Sequence, residues 1–363
     1  MTGAHAVQAA LKHATPAQAA RIVDEIIPHV AEWGCHERSG NHVVQAAIKH
    51  STPAQLEAIT DAVLPHVPAW GCDAVGAYTV LASLEHGTPA QTERLVDAVT
   101  PFVLDWSTHV RGKFIARTAL ETGTPAQAEK IVDLVTPFAC EWAAHEFGTF
   151  VVQAALAFGT PVQVERLVED TIPHAVEWSF HENASHVVQE ALTRATPEQA
   201  ERIVDTAVLP RFDELVFHRC GSTVVESAFV NGTPAQQDDI VARMEADVCK
   251  FACDDYANFL FRAVYRRGTA TQKERVVTAV LQNADRLSHD AGGQYQVRNA
   301  WPRRYRARNV IGDLVLSSTR RRRKQYAWSS DDVTPKFRTR SMASRHDRHR
   351  SGARFGMHYP FGN

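Results

Sequence analysis

A planar ring returns every 36 or 37 positions in this chain: His5, His42, Tyr78, Phe114, Phe150, His186 and Phe259, with Thr223 at the remaining place in the series. Each stands third in a recurring hexapeptide: GAHAVQ at Gly3, GNHVVQ at Gly40, GAYTVL at Gly76, GKFIAR at Gly112, GTFVVQ at Gly148, ASHVVQ at Ala184, GSTVVE at Gly221 and ANFLFR at Ala257. The residue before the ring is short and polar in Asn41, Thr149, Ser185, Ser222 and Asn258. The residue three after it is Gln45, Gln153, Gln189, Glu226 or Arg262. Rings in such a row suit stacking on successive nucleobases, at roughly 1 to 3 kcal/mol each, while amides, hydroxyls and a carboxylate beside them can hydrogen-bond base edges. The third copy has Ala77 and Leu81 at the flanking places, which cannot. The fourth has Lys113 and Arg117, which are better suited to phosphate.

Helical geometry separates these residues from the rest of the hexapeptide. At about 100° per residue, Asn41, Gln45 and His42 share one arc while Val43, Val44 and Ala47 share the opposite one. The first arc is expected to face outward and the second to pack. Burial of the rings in a core is the plainer alternative, and the polar groups beside nearly every ring weigh against it.

Eight copies of a 36-residue unit imply a solenoid, because each unit can bury its apolar face only against its neighbours. Thr15, Thr52, Thr88, Thr124, Thr160, Thr196, Thr233 and Thr269 recur in register, all but the last followed by proline, and glutamine stands three residues on, as in Thr52, Pro53 and Gln55. That pattern is a capping box opening a support helix. Glycine before the threonine, at Gly87, Gly123, Gly159, Gly232 and Gly268, is expected to end the hexapeptide helix. Trp33, Trp70, Trp106, Trp142 and Trp178, with Leu215 and Phe251 at equivalent places, mark a third helix whose large apolar residue belongs to the core. His109, His145, His181 and His218 each precede a hexapeptide by three residues. One repeat apart, they are too dispersed for a metal site, and a structural hydrogen bond is the expected role.

Composition narrows the function classes. The chain of 363 residues is 44% hydrophobic, enough for a long core, without an apolar run of membrane-spanning length or a secretory signal. Six scattered cysteines show neither zinc nor disulfide spacing, which fits a reducing cytoplasmic or nuclear compartment. No phosphate loop, nucleophile motif or paired catalytic carboxylates is present, so neither an enzyme nor a cofactor is expected. The net charge of −2 hides a division: from Gln294 onward 17 Lys and Arg face 4 Asp and Glu, whereas the preceding residues carry 22 against 37. Acids such as Asp24, Glu25, Glu129, Asp133, Glu165 and Glu169 fall on the support and tryptophan helices. Arg111, Lys113, Arg117, Arg219, Arg262, Arg266 and Arg267 fall in or beside the hexapeptides, so the ring face is expected to be the basic one.

In its eight units, its three helices per unit and its pattern of polar residue, ring, two aliphatics and Gln or Glu, residues 1–290 resemble the Pumilio/FBF (PUF) repeat RNA-binding proteins. The resemblance implies an all-α, right-handed superhelical crescent of about eight three-helix repeats, the first incomplete, binding single-stranded RNA on its concave face at one base per repeat. It also implies that the RNA 5′ end lies at the last repeat. By the family code, Ser222 with Glu226 selects guanine, Ser185 with Gln189 adenine and Asn41 with Gln45 uracil. Thr149 with Gln153 is close to the adenine pair, and Asn258 with Arg262 departs from the uracil pair. The implied site is 5′-(U)GA(A)NNUN-3′. A monomer acting in post-transcriptional regulation or RNA processing is expected, with protein partners on the convex face and no membrane association. The alternative is a degenerate PUF-repeat scaffold for protein interactions. Residues 291–363 form a basic tail outside the repeat period, with the run Arg320 to Lys324, expected to be disordered.

Overall fold

The computed structural model describes residues 3–36, 39–283 and 286–287. All belong to one compact unit, Met1–Thr319, and the expected tail lies outside them. Among the described residues every regular element is a helix. No helix there is long and apolar enough to cross a membrane.

The hexapeptides open eight helices: Gly3–His13, Gly40–His50, Gly76–His86, Gly112–Thr122, Gly148–Phe158, Ala184–Arg194, Gly221–Asn231 and Asn258–Arg267. Each packs directly on the next, so they form one continuous row. The support helices lie behind that row, and Pro89–Val99, Pro125–Val135 and Pro161–Thr171 each pack against the hexapeptide helix of their own repeat and of the following one. The repeat therefore produces an all-α solenoid, as its period requires.

All eight threonines close the expected capping box: the threonine side chain accepts from the glutamine N–H, and the glutamine side chain accepts from the threonine N–H. The glycines before them have a different rationale from the one expected. Gly87, at φ −60° and ψ 151°, has the same extended backbone as Ser51 and Ala195. No left-handed residue ends these helices, and glycine is one small residue among several that serve.

A proline-containing 3-10 turn follows most support helices and leads into the third helix, which is only four to six residues long, as in Val67–Trp70 and Val103–Ser107. Trp70, Trp106, Trp142 and Trp178 are buried, as are Leu215 and Phe251. Small neighbours make this possible. A methyl group added at Gly112 would lie 2.6 Å from Trp106 Cβ, and one at Gly71 would collide with the Trp106 ring. On its other side each indole carries a second ring from four residues earlier: His66 on Trp70, Phe102 on Trp106, Phe138 on Trp142 and His174 on Trp178, with planes within 16° of parallel.

One departure from the period has a visible cause. Thr196 to Thr233 spans 37 positions where Thr160 to Thr196 spans 36. The support helix of repeat 6 absorbs the additional residue as a π turn, Val204–Val208, which keeps Ala207 and Val208 in the core.

Candidate nucleic-acid interface

The row of hexapeptide helices fixes the direction in which each ring points. Both aliphatics of the motif are buried in every repeat from the second onward, for example Val151 and Val152, Val187 and Val188, Val224 and Val225. In repeat 3 Thr79 takes one of these places and donates its hydroxyl to Gly34 O at 2.7 Å, so the core there keeps a satisfied polar group. With that side inward, the rings face away from the core: His5, His42, Phe114, His186 and Phe259 are exposed, and Tyr78, Phe150 and Thr223 are half-buried. The third members Gln45, Gln153, Gln189, Glu226, Arg117 and Arg262 are half-buried beside them.

The helix N-termini are held by residues that precede the motif. The Nδ1 of His109 accepts from the N–H groups of Arg111 and Gly112, and His145, His181 and His218 repeat the arrangement at 3.1–3.3 Å. Acceptance at Nδ1 leaves the ring proton on Nε2. Asp73 and Asp254 do the same with a carboxylate at 2.7–2.9 Å. Bonds from Gly76, Val75 and Ala74 N–H, chiefly Gly76, and the Arg111 charge hold the Asp73 pKa below the ordinary carboxylate range against the opposing effect of burial.

The first member of each trio is not outward, contrary to the sequence expectation. Asn41 is 5% exposed, Ser185 2% and Ser222 4%, and Thr149 and Lys113 are buried as well; Asn258 is half-buried. The reason is the close packing of successive hexapeptide helices, which closes over the position nearest each N-terminus. The polar atoms are satisfied locally. Asn41 Oδ1 accepts from His42 N–H at 2.8 Å, Ser185 Oγ donates to Glu182 O, Ser222 Oγ to Arg219 O, and Asn258 Nδ2 to Asp254 O and Asp255 O. Thr149 Oγ1 reaches Asn183 O of the following repeat at 3.3 Å. These residues form the floor beside the third-position side chains and orient them. Gln153 Nε2 donates to Thr149 O, and Gln189 Nε2 donates to Ser185 O and across the repeat boundary to Thr223 Oγ1.

Lys113 also departs from its expected role. It is 8% exposed, and its Nζ lies 4.1, 4.5 and 5.0 Å from the ring centroids of Phe150, Phe147 and Phe114. Desolvation lowers its pKa, with Glu146 pulling the other way. An ammonium held among three rings is not presented to a phosphate. Phe147 is the residue here that the repeat pattern did not single out. Its signal was an aromatic where the equivalent places hold Ser39, Val75, Arg111, Asn183 and Cys220, with Tyr256 of repeat 8 the other aromatic of the series.

Other charges on this side have partners too. Arg111 donates to Tyr78 Oη at 2.9 Å and lies over the Tyr78 ring. Arg262 sits over Phe259 and within 3.7 Å of the Glu226 carboxylate. His186 is exposed by area yet crowded along one side, and this partial desolvation lowers its pKa, Glu182 opposing.

The acids behind the row are engaged with the scaffold. Beyond capping its own helix, each box glutamine from the second repeat onward donates Nε2 to an acid of the preceding repeat: Gln55 to Asp24, Gln91 to Glu57, Gln127 to Asp97, Gln163 to Asp133, Gln199 to Glu169, Gln236 to Asp205 and Gln272 to Asp238. Arg94 and Arg202 add ion pairs to the same ladder. Much of the negative charge is thus placed on the support helices, away from the rings.

No curated protein sequence matches the chain. Three solved structures share its fold at 19% sequence identity, each match covering 82% of this chain. They are PUF-8 in complex with PBE-RNA (TM-score 0.65, 89% of that chain), the Puf3 RNA-binding domain bound to a Cox17 RNA site (0.68, 92%) and the Puf4 RNA-binding domain bound to an HO endonuclease RNA site (0.58, 95%). The profile of the NOP9-like PUF repeat domain matches residues 1–295, and with it the repeat, the capped helices and the ring row have one explanation: the chain belongs to the NOP9-like PUF repeat family.

Proposed function

We propose that the hexapeptide face binds single-stranded RNA and selects bases chiefly through its third-position side chains, in the service of RNA processing. The observation that carries this reading is the row of rings facing away from the core, interrupted at Thr223, with a polar or charged side chain at the third position of every repeat but the third, set on helices whose opposite side is committed to the core. The RNA-bound PUF-8, Puf3 and Puf4 structures support it, and the NOP9-like family favours processing over other regulatory roles. Binding, not catalysis, is the activity this surface suits.

In this reading Glu226 accepts from guanine N1–H and N2–H, Gln189 and Gln153 pair with adenine, and Gln45 with uracil. The buried Ser222, Ser185, Thr149 and Asn41 set the space and orientation at each step rather than reaching the base themselves. Arg262, 3.7 Å from the Glu226 carboxylate, offsets part of the repulsion that a carboxylate would otherwise present to the RNA backbone.

The test is a selection of random RNA on the full chain, followed by binding of RNAs that differ only at the base facing repeat 7. Glu226→Gln is expected to weaken discrimination for guanine by about 1–3 kcal/mol at fixed salt. Equal wild-type affinity for all four bases would defeat base selection. It would favour the protein-interaction scaffold, to which the internal partners of Lys113 and Glu226 already lend some support.

A further inference from the structure

The rings of repeats 3 and 4 are occupied by cations of this chain. Arg111 covers Tyr78, with its guanidinium carbon 5.4 Å from the ring centroid, and Lys113 fills the space among Phe114, Phe147 and Phe150. Phe114 and Phe150 are 6.3 Å apart at 50°, a separation at which rings touch one another. A base entering between them must part the rings and displace a desolvated ammonium held by cation–π attraction. No base-edge contact is offered in return at repeat 3, where Ala77 is buried and Leu81 is apolar. At repeat 4 the first-position side chain, Lys113, is the one filling the gap. On either side lie steps equipped to read: Asn41 and Gln45 in repeat 2, and Gln153, Gln189 and Glu226 in repeats 5 to 7.

We infer that repeats 3 and 4 are a non-reading break in the RNA track, where this chain's own cations take the places between rings, so that the chain recognises two short RNA elements joined by a spacer tolerant of both sequence and length. This rests on the proposed RNA binding and adds to it: the site is bipartite, and Lys113 determines where the division falls. Because the strand is not stacked across the break, an additional nucleotide there displaces no base from its partner. The same insertion between the steps of repeats 6 and 7 puts one reading block out of register with its side chains.

The experiment uses the full chain and its selected RNA, with one nucleotide inserted either opposite repeats 3 and 4 or between the bases facing repeats 6 and 7. The first insertion is expected to change Kd by less than about threefold and the second by at least about tenfold, the scale of one lost stacked and paired base. The selected pool should carry no base preference opposite repeats 3 and 4. Lys113→Asn combined with Arg117→Gln recreates the side-chain pair of repeat 2, and that variant should gain a uracil preference at this step and become sensitive to the first insertion. Equal sensitivity of the wild type to both insertions overturns the inference while leaving base reading intact. A wild type that selects no base anywhere and ignores both insertions overturns the RNA reading itself. The wild-type comparison holds whether or not the double variant folds.

Discussion

Gln127 and Gln189 are both glutamines in the first two turns of helices in this solenoid, one on the support side and one on the hexapeptide side. Gln127 is 9% exposed, closes the capping box with Thr124, and donates to Glu93 O and Asp97 Oδ1 at 2.7 Å. Its counterparts in other repeats are glutamines engaged in the same way. Gln189 is half-buried at the solvent face, and its counterparts are Gln8, Gln45, Leu81, Arg117, Gln153, Glu226 and Arg262. Uniformity on one side follows from a shared mechanical task, a cap and a link to the preceding repeat. Variety on the other is tolerated because the scaffold does not depend on those side chains, and that leaves them free to differ in what they bind.

The scaffold side should give the largest response to substitution. Trp106 fills the space between Gly71 and Gly112 and is stacked by Phe102. Trp106→Ala leaves a cavity that neighbouring repeats cannot close without shifting the row, and it should cost about 3–5 kcal/mol in chemical denaturation. A loss under about 1 kcal/mol would mean that the solenoid adapts locally, and the contrast between the two faces would lose its basis.

The glutamines sharpen the comparison directly. Gln127→Ala keeps the Thr124 cap but leaves the Thr124 N–H without its acceptor and the Asp97 carboxylate and Glu93 O without that donor, at a cost of about 1–3 kcal/mol. Gln189→Ala should stay within about 0.5 kcal/mol of wild type in stability, while changing base selection at repeat 6. Denaturation midpoints and RNA binding measured on both variants separate the faces. Comparable destabilisation by the two would show that the hexapeptide face is structural after all.

The sequence revealed the scaffold almost completely because its signals are local. A threonine, a proline and a glutamine within four residues specify a cap whatever surrounds them, and eight copies in register specify the stacking. The outward direction of the rings was also legible from helical angle alone. What the sequence could not show was contact between repeats. Helical angle placed Asn41, Ser185 and Ser222 on the outer arc, yet the neighbouring helix covers them. Residue type suggested phosphate for Lys113, but the ammonium lies among rings contributed by its own repeat and the next. The pairing of Glu226 with Arg262 was hidden because the two stand 36 positions apart. The second function of the box glutamines, reaching back 30 to 35 positions, was hidden for the same reason.

The smallest predicted loss of stability from removing a structural contact concerns the caps of the hexapeptide helices. Asp73 and His109 occupy equivalent places and accept equivalent bonds, but a carboxylate accepts while charged and an imidazole accepts only while Nδ1 carries no proton. Asp73→Ala removes the cap from repeat 3 and should cost about 1 kcal/mol near neutral pH. The native pKa of Asp73 is depressed, chiefly by the Gly76 N–H, so the unfolded chain binds its proton first as the solution is acidified. The contribution of the charged cap is therefore fully present above the unfolded carboxylate value of about 3.9 and is lost as pH falls through the lower native value. Thermal melts of wild type and Asp73→Ala should differ by a constant interval from neutral pH down to about pH 4 and converge only below it. Convergence already between pH 7 and 5 would show that Asp73 does not hold the helix as a charged acceptor. The hexapeptide helix of repeat 3 would then owe its N-terminus to packing against Trp70 alone, through Gly76, whose added methyl would lie 2.6 Å from the Trp70 ring.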